Sequence, residues 1–140
     1  WWTYFDHVAI QATLPGDIGL LAQWMDGFTA WGRFTNGVYS VDNRFRSNYV
    51  ALTRAFDKHR VTARYDHFKV TEADTTPLDE NSERGHAWTV AYRYKATDSV
   101  TLAMEWLQIH TNRPAWAYFD LEPSKTEQQV QIALLLRFSQ

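Results

Sequence analysis

The sequence contains no cysteine, so it holds no disulfide framework, no thiolate metal site and no cysteine nucleophile. It also lacks any long apolar run. The longest aliphatic stretches cover residues 18–22 and 132–136, far short of the ~18 consecutive apolar residues expected of a membrane-spanning helix. Helical membrane proteins are thereby excluded, whereas proteins that cross with strands are not. Neither sign of charge predominates: 14 Lys and Arg against 16 Asp and Glu give a net charge of -2. That balance offers no basic footprint for nucleic acid at the level of the whole chain. Proline (4) and glycine (6) are sparse in 140 residues. The chain opens Trp1-Trp2-Thr3, and no charged region followed by an apolar one marks a signal peptide.

Aromatic side chains are abundant. Seven Trp, seven Tyr and eight Phe make up 16% of the chain, and 45% of it is hydrophobic, which argues against disorder. Yet the mean hydropathy is -0.45. The two facts are reconciled by a period of two. Val130, Ile132, Leu134, Leu136 and Phe138 alternate with Gln131, Ala133, Leu135 and Arg137. Trp88, Val90, Tyr92 and Tyr94 alternate with Thr89, Ala91, Arg93 and Lys95. Leu102, Met104 and Trp106 oppose Thr101, Ala103 and Glu105; Val61, Ala63 and Tyr65 oppose Arg60, Thr62, Arg64 and Asp66. Earlier in the chain, Val8 to Leu14 and Ile18 to Trp24 follow the same rule. Such segments are about ten residues long, as a tilted transmembrane strand requires. Between residues 46 and 56, Val50, Leu52 and Phe56 share their parity with Arg54. A two-residue turn at Asp57-Lys58 sends Arg54 outward and a three-residue turn reverses this, so both registers stay open.

Connections are expected to alternate in length, with tight turns near 15–17, 57–58 and 97–99 and long loops near 29–45, 72–86 and 111–126. A transmembrane barrel places short turns on one side and long loops on the other, whereas a Greek-key sandwich has no reason to. Aromatics gather where strands meet the long loops (Trp24, Phe28, Trp31, Tyr65, Phe68, Trp88, Trp106) and again near the tight turns (Phe56, Tyr92, Tyr94, Phe138), a pattern of two interfacial girdles. The expected fold is all-β, an antiparallel up-and-down transmembrane β-barrel. Seven strands are counted, the first descending from the loop side. Since bacterial barrels use even numbers, the segment is expected to be a C-terminal part of a larger barrel.

The runs Tyr49-Val-Ala-Leu-Thr-Arg-Ala-Phe, His59-Arg-Val-Thr-Ala-Arg-Tyr-Asp, Gly85-His-Ala-Trp-Thr-Val-Ala-Tyr, Leu102-Ala-Met-Glu-Trp-Leu and the ending Leu135-Leu-Arg-Phe resemble the C-terminal strands of Gram-negative outer-membrane porins. Nearest is the phosphate-selective porin O and P group. The resemblance spans about residues 46–138, is specific for the barrel class and is weak for substrate. It implies a location in the bacterial outer membrane, with outer-membrane lipid and lipopolysaccharide as surroundings and a homotrimer as a common assembly. It also implies a terminal aromatic read by the barrel-assembly machinery. Phe138 matches that role, displaced by two positions because Ser139 and Gln140 follow.

With Val61, Trp88, Leu102 and Val130 towards lipid, the opposite face carries Arg60, Arg64, Arg93, Lys95 and Arg137 against Asp66 and Glu105. Charged groups lining a pore set its ion preference, so a passive channel for small hydrophilic solutes or anions is expected. The segment 72–86 is acidic, with Glu72, Asp74, Asp79, Glu80 and Glu83 beside Arg84; such a loop could bridge lipopolysaccharide through divalent cations. His7, His59, His67, His86 and His110 show no metal-ligand spacing, and no serine sits in a nucleophile motif. No enzymatic activity, cofactor or nucleic-acid partner is expected. Two other readings stand beside the channel: a small structural or adhesive barrel with a plugged lumen, and a soluble β-sheet binding protein.

Overall fold

A computed structural model describes residues 1–35, 38–74 and 80–138. Asp79 of the acidic segment, and Ser139 and Gln140 at the end, lie outside the described residues. The chain forms seven strands: β1 (Trp2–Leu14), β2 (Ile18–Thr35), β3 (Val38–Phe56), β4 (His59–Glu72), β5 (Glu83–Lys95), β6 (Val100–Asn112) and β7 (Ser124–Leu136). A short 3-10 helix (Pro114–Phe119) lies between β6 and β7. All seven strands join one antiparallel sheet in sequence order. The period-two alternation of β-branched and aromatic residues accounts for their formation. The breaks fall where turn chemistry is concentrated: Gly16 and Asp17 take left-handed φ values of 79° and 57°, and Asp57 one of 51°, conformations that Gly and Asp tolerate.

The sheet is not closed into a barrel. β1 pairs only with β2, and β7 only with β6. With an odd number of antiparallel strands the two edge strands run in the same direction, so they cannot complete an antiparallel cylinder by pairing with each other. A departure from expectation lies at residues 29–45. This stretch is not a long loop. β2 and β3 continue through it to the pair Thr35↔Val38, with a bulge between Trp31 and Phe34 where Gly32 takes a φ of 89°. The segment is rich in strand formers, and the register shift at the bulge hides its alternation from a reading at constant period.

Ladder partners share a face of the sheet, so the register sorts the side chains. On one face every strand carries an apolar stretch beside its turn end: Val8–Leu14, Ile18–Trp24, Val50–Phe56, Val61–Tyr65, Trp88–Tyr94, Val100–Trp106 and Val130–Leu136 at alternate positions. Little covers it. Ile132 is 77% exposed and Val130 63%, and among the described residues the buried apolar ones are Ala30, Ala51 and Ala87. A compact monomer of 16.4 kDa exposes about 7,500 Å² by mass scaling; this chain exposes 10469 Å². Among the described residues the sheet is one layer thick and no second layer packs against it.

The opposite face is more polar and holds the concavities described below, so the sheet curls towards it. Close packing there depends on small residues. Phe68 covers Gly85 and Phe45 covers Gly27, so that a Cβ on Gly85 would stand 2.4 Å from the His110 carbonyl oxygen and 2.6 Å from Phe68 Cζ. Gly85→Ala is therefore expected to lower folding stability by about 1–3 kcal/mol. Gly19→Ala, whose Cβ meets only the Thr53 carbonyl oxygen at 3.6 Å, should stay within ~0.5 kcal/mol. Equilibrium unfolding of the two variants checks the contrast.

Candidate functional site

The turn between β3 and β4 decides what faces where. Phe56 pairs with His59 and Ala55 with Arg60, so the turn has two residues, Asp57 and Lys58. Arg54 then joins Ile18 and Val61 on the apolar face, next to the tight turns, where a long side chain can carry its charge to the edge of an apolar band. Arg60 falls on the polar face. Across the next ladder Arg60 pairs directly with Arg93. The Lys95 N–H donates to the Lys58 carbonyl oxygen at 2.8 Å, and the Arg137 N–H donates to the Ser99 carbonyl oxygen at 2.9 Å. Three chain segments are thus drawn to one end of the polar face.

They enclose an open basin of about 610 Å³ lined by Lys58, Arg60, Arg93, Lys95 and Arg137, with Asp57 and Asp98 as its carboxylates. Five basic side chains against two acidic ones make it locally cationic in a chain of net charge -2. Its volume exceeds that of a small hydrated anion, since one water takes about 30 Å³ in the liquid. Lys95 Nζ donates to Asp98 Oδ1 at 2.7 Å. This hydrogen bond, followed by the charges of Lys95, Lys58 and Arg137, holds the Asp98 carboxyl below its ordinary range. Asp98 therefore stays ionised in neutral solution and occupies one lysine. Lys58, Arg60, Arg93 and Arg137 form no ion pair among the described residues. The direct pairing of Arg60 with Arg93 sets like charges opposite each other, which weakens a ladder. Sheet stability alone gives no reason for that pairing.

The seven charged residues singled out on this face do not form one group. Arg60, Arg93, Lys95 and Arg137 line the basin, and Glu105 lies beside it in a neighbouring concavity shared with Arg60 and Arg93. Arg64 and Asp66 stand apart. Arg64 Nε donates to Asp66 Oδ1 at 2.9 Å, and its guanidinium lies 4.1 Å over the Tyr49 ring, in a hollow shared with Gln23 and Ser47. Lys58 was missed by sequence reasoning because a turn residue has no parity until the turn length is known. Phe138 follows β7 by two positions and is 85% exposed.

Carboxylates of the acidic segment accept hydrogen bonds from backbone N–H groups. The Asn81 N–H donates to Glu72 Oε2 at 2.6 Å, the Ser82 N–H to Glu80 Oε1 at 2.8 Å, and the Asp42 N–H to Asp74 Oδ2 at 2.8 Å. Hydrogen bonds from Ser82 hold the Glu80 carboxyl below its usual range, and Arg113 pairs with Glu83 at 2.5 Å. Among the described residues no three His, Asp or Glu side chains converge as a metal site.

Comparison with protein-family models, with curated proteins and with solved structures finds no match for this chain. The basin is therefore characterised by its geometry. One consequence concerns stability: Arg60→Thr, which removes the like-charge pair and installs a good strand former, is expected to raise folding stability by about 0.2–1 kcal/mol. Equilibrium unfolding measures it.

Proposed function

We propose that this chain forms part of a porin-like β-barrel channel of the bacterial outer membrane that passes small hydrophilic solutes and prefers anions. The observation that carries the reading is the cationic basin on one face of a sheet whose other face is uncovered and apolar. Each apolar stretch covers seven residues on most strands, six rises of ~3.3 Å or about 20 Å along the strand. Rings border it on both sides, with Trp24 and Trp88 towards the loops and Phe56 and Tyr94 towards the turns. At the strand tilt of about 35–45° found in outer-membrane barrels the stretch rises about 15 Å, within their apolar band of about 25 Å. The edges support the same reading, because unpaired backbone groups in lipid are each worth several kcal/mol of penalty; a further strand against β1 and β7 removes it. The same reading takes Phe138, exposed just past β7, as the aromatic that the barrel-assembly machinery reads.

In such a channel Lys58, Arg60, Arg93 and Arg137 stand at the tight-turn mouth and concentrate anions there. Arg64, neutralised by Asp66 and held over Tyr49, braces the wall. That ion pair also favours a second reading, a small structural barrel whose lumen is closed by arginine–carboxylate contacts. Reversal potentials of the full-length protein in planar bilayers under a salt gradient separate the two. The channel reading expects open-pore conductance with anion selectivity, reduced severalfold in Arg60→Ala combined with Arg93→Ala and little changed in Arg64→Ala. Cation-selective currents indifferent to the double substitution would sink the anion preference, and absence of conductance would favour the closed barrel.

A further inference from the structure

The five histidines look scattered along the sequence, but the register gathers three of them. His67 pairs directly with His86, and His86 with His110, so that three adjacent strands present imidazoles side by side on the apolar face. The rings of His86 and His110 lie 5.3 Å apart. This row follows immediately on the last apolar one, where Tyr65 and Trp88 pair with ring centroids 4.7 Å apart. The next row towards the loops begins with Asp6 and Asp26 on β1 and β2 and carries cations on β3, β4 and β5. Arg46 pairs with Lys69, and Lys69 with Arg84, and Arg44 stands one row further on the same face. All four of these basic residues are exposed. Arg46 donates to Asp26 at 2.7 Å; Arg44, Lys69 and Arg84 form no ion pair among the described residues.

Three cations as direct ladder partners destabilise a sheet, and on this face they have no lumen to serve. Their position suggests a ligand. A phosphate at the edge of a hydrocarbon layer lies just beyond the apolar side chains that contact the acyl chains, and it is met first by amphipathic rings, then by hydrogen-bond donors, then by positive charge. The rows occur in that order: Tyr65 and Trp88, then His67, His86 and His110, then Arg46, Lys69 and Arg84. We propose that this strip docks the phosphate groups of membrane lipid headgroups on the loop side of the sheet. The proposal rests on the membrane reading above and adds a partner to it. The basic residues supply charge-assisted hydrogen bonds to phosphate oxygens, and the imidazoles supply further donors closer to the acyl region. A free anion in water finds here only an exposed, solvent-screened surface, whereas a lipid brings its phosphate to the strip already anchored by its chains.

The test uses the full-length protein in bilayers containing a bromine-labelled lipid, read by quenching of tryptophan fluorescence. Two labelled lipids are compared, phosphatidic acid and a phosphate-free galactolipid, each with and without inorganic phosphate in the buffer. The expected result is at least tenfold preferential quenching by phosphatidic acid, insensitive to inorganic phosphate. Arg46→Gln, Lys69→Gln and Arg84→Gln combined should abolish the preference, while Lys69→Arg with Arg84→Lys keeps it. Lys69→Gln alone, expected to reduce the preference severalfold, serves if the triple variant does not fold. Equal quenching by the two lipids overturns the strip and leaves the membrane reading intact. Competition by inorganic phosphate overturns the lipid as the source of the anion. No quenching by either lipid overturns the membrane reading and the strip together.

Discussion

The tertiary structure rests above all on the hydrogen-bonded ladders between consecutive strands. Among the described residues no second layer packs on the sheet, and no core side chain larger than alanine is buried. In an ordinary domain, register is enforced by the burial of one face. Here it is enforced by turn length and by cross-strand contacts such as the stacked Phe56 and His59 or the hydrogen-bonded Thr53 and Thr62. A slip of one residue at Asp57-Lys58 exchanges the faces of everything before it relative to everything after it. Arg54 would move to the polar face, Arg60 would lose its place opposite Ala55, and the basin and the histidine row depend on the same alignment.

The two faces call for different surroundings. Side chains such as Ile132, Leu134 and Val130 gain about 25 cal/mol per Å² when removed from water, and none of the described residues provides that removal. The polar face, with Lys58, Arg60, Arg93 and Arg137 close together, is stable only where water or counter-ions screen the charges. A wall between hydrocarbon and water satisfies both demands at once, which is the physical content of the proposed channel. The long uncovered edges of β1 and β7 add a third demand, since an exposed flat apolar edge pairs with whatever strand it meets.

Charge on this chain is organised by location rather than by amount. A net charge of -2 conceals a cationic basin at the turn end of the polar face and a cationic strip at the loop end of the apolar face. The acidic residues of the segment around Glu72 and Glu80 accept backbone hydrogen bonds that shape the connection. Asp98 and Asp66 each neutralise one basic neighbour. Among the cations without an ion pair are Arg60 opposite Arg93 and Lys69 opposite Arg84, like-charge pairs held at some expense to sheet stability, and they mark both proposed anion sites.

Much of this was legible in the residues alone. Alternation marked six of the seven strands counted, leaving residues 46–56 open in register, and it set Val61, Trp88, Leu102 and Val130 opposite Arg60, Arg93 and Glu105, because a side chain's face depends on its parity within its own strand. Turn chemistry located the tight connections, since Asp57 and Gly16 are residues that accept left-handed backbone. Where parity is interrupted the reading failed: the bulge near Gly32 disguised a pair of long strands as a loop, and Lys58 had no assignable face. What only the tertiary structure decided is which residues become neighbours across strands. The row His67, His86 and His110, the pair Arg60 and Arg93 and the separation of Arg64 from the basin all follow from register. Register is a property of two strands and the turn that joins them, so no single strand's sequence contains it.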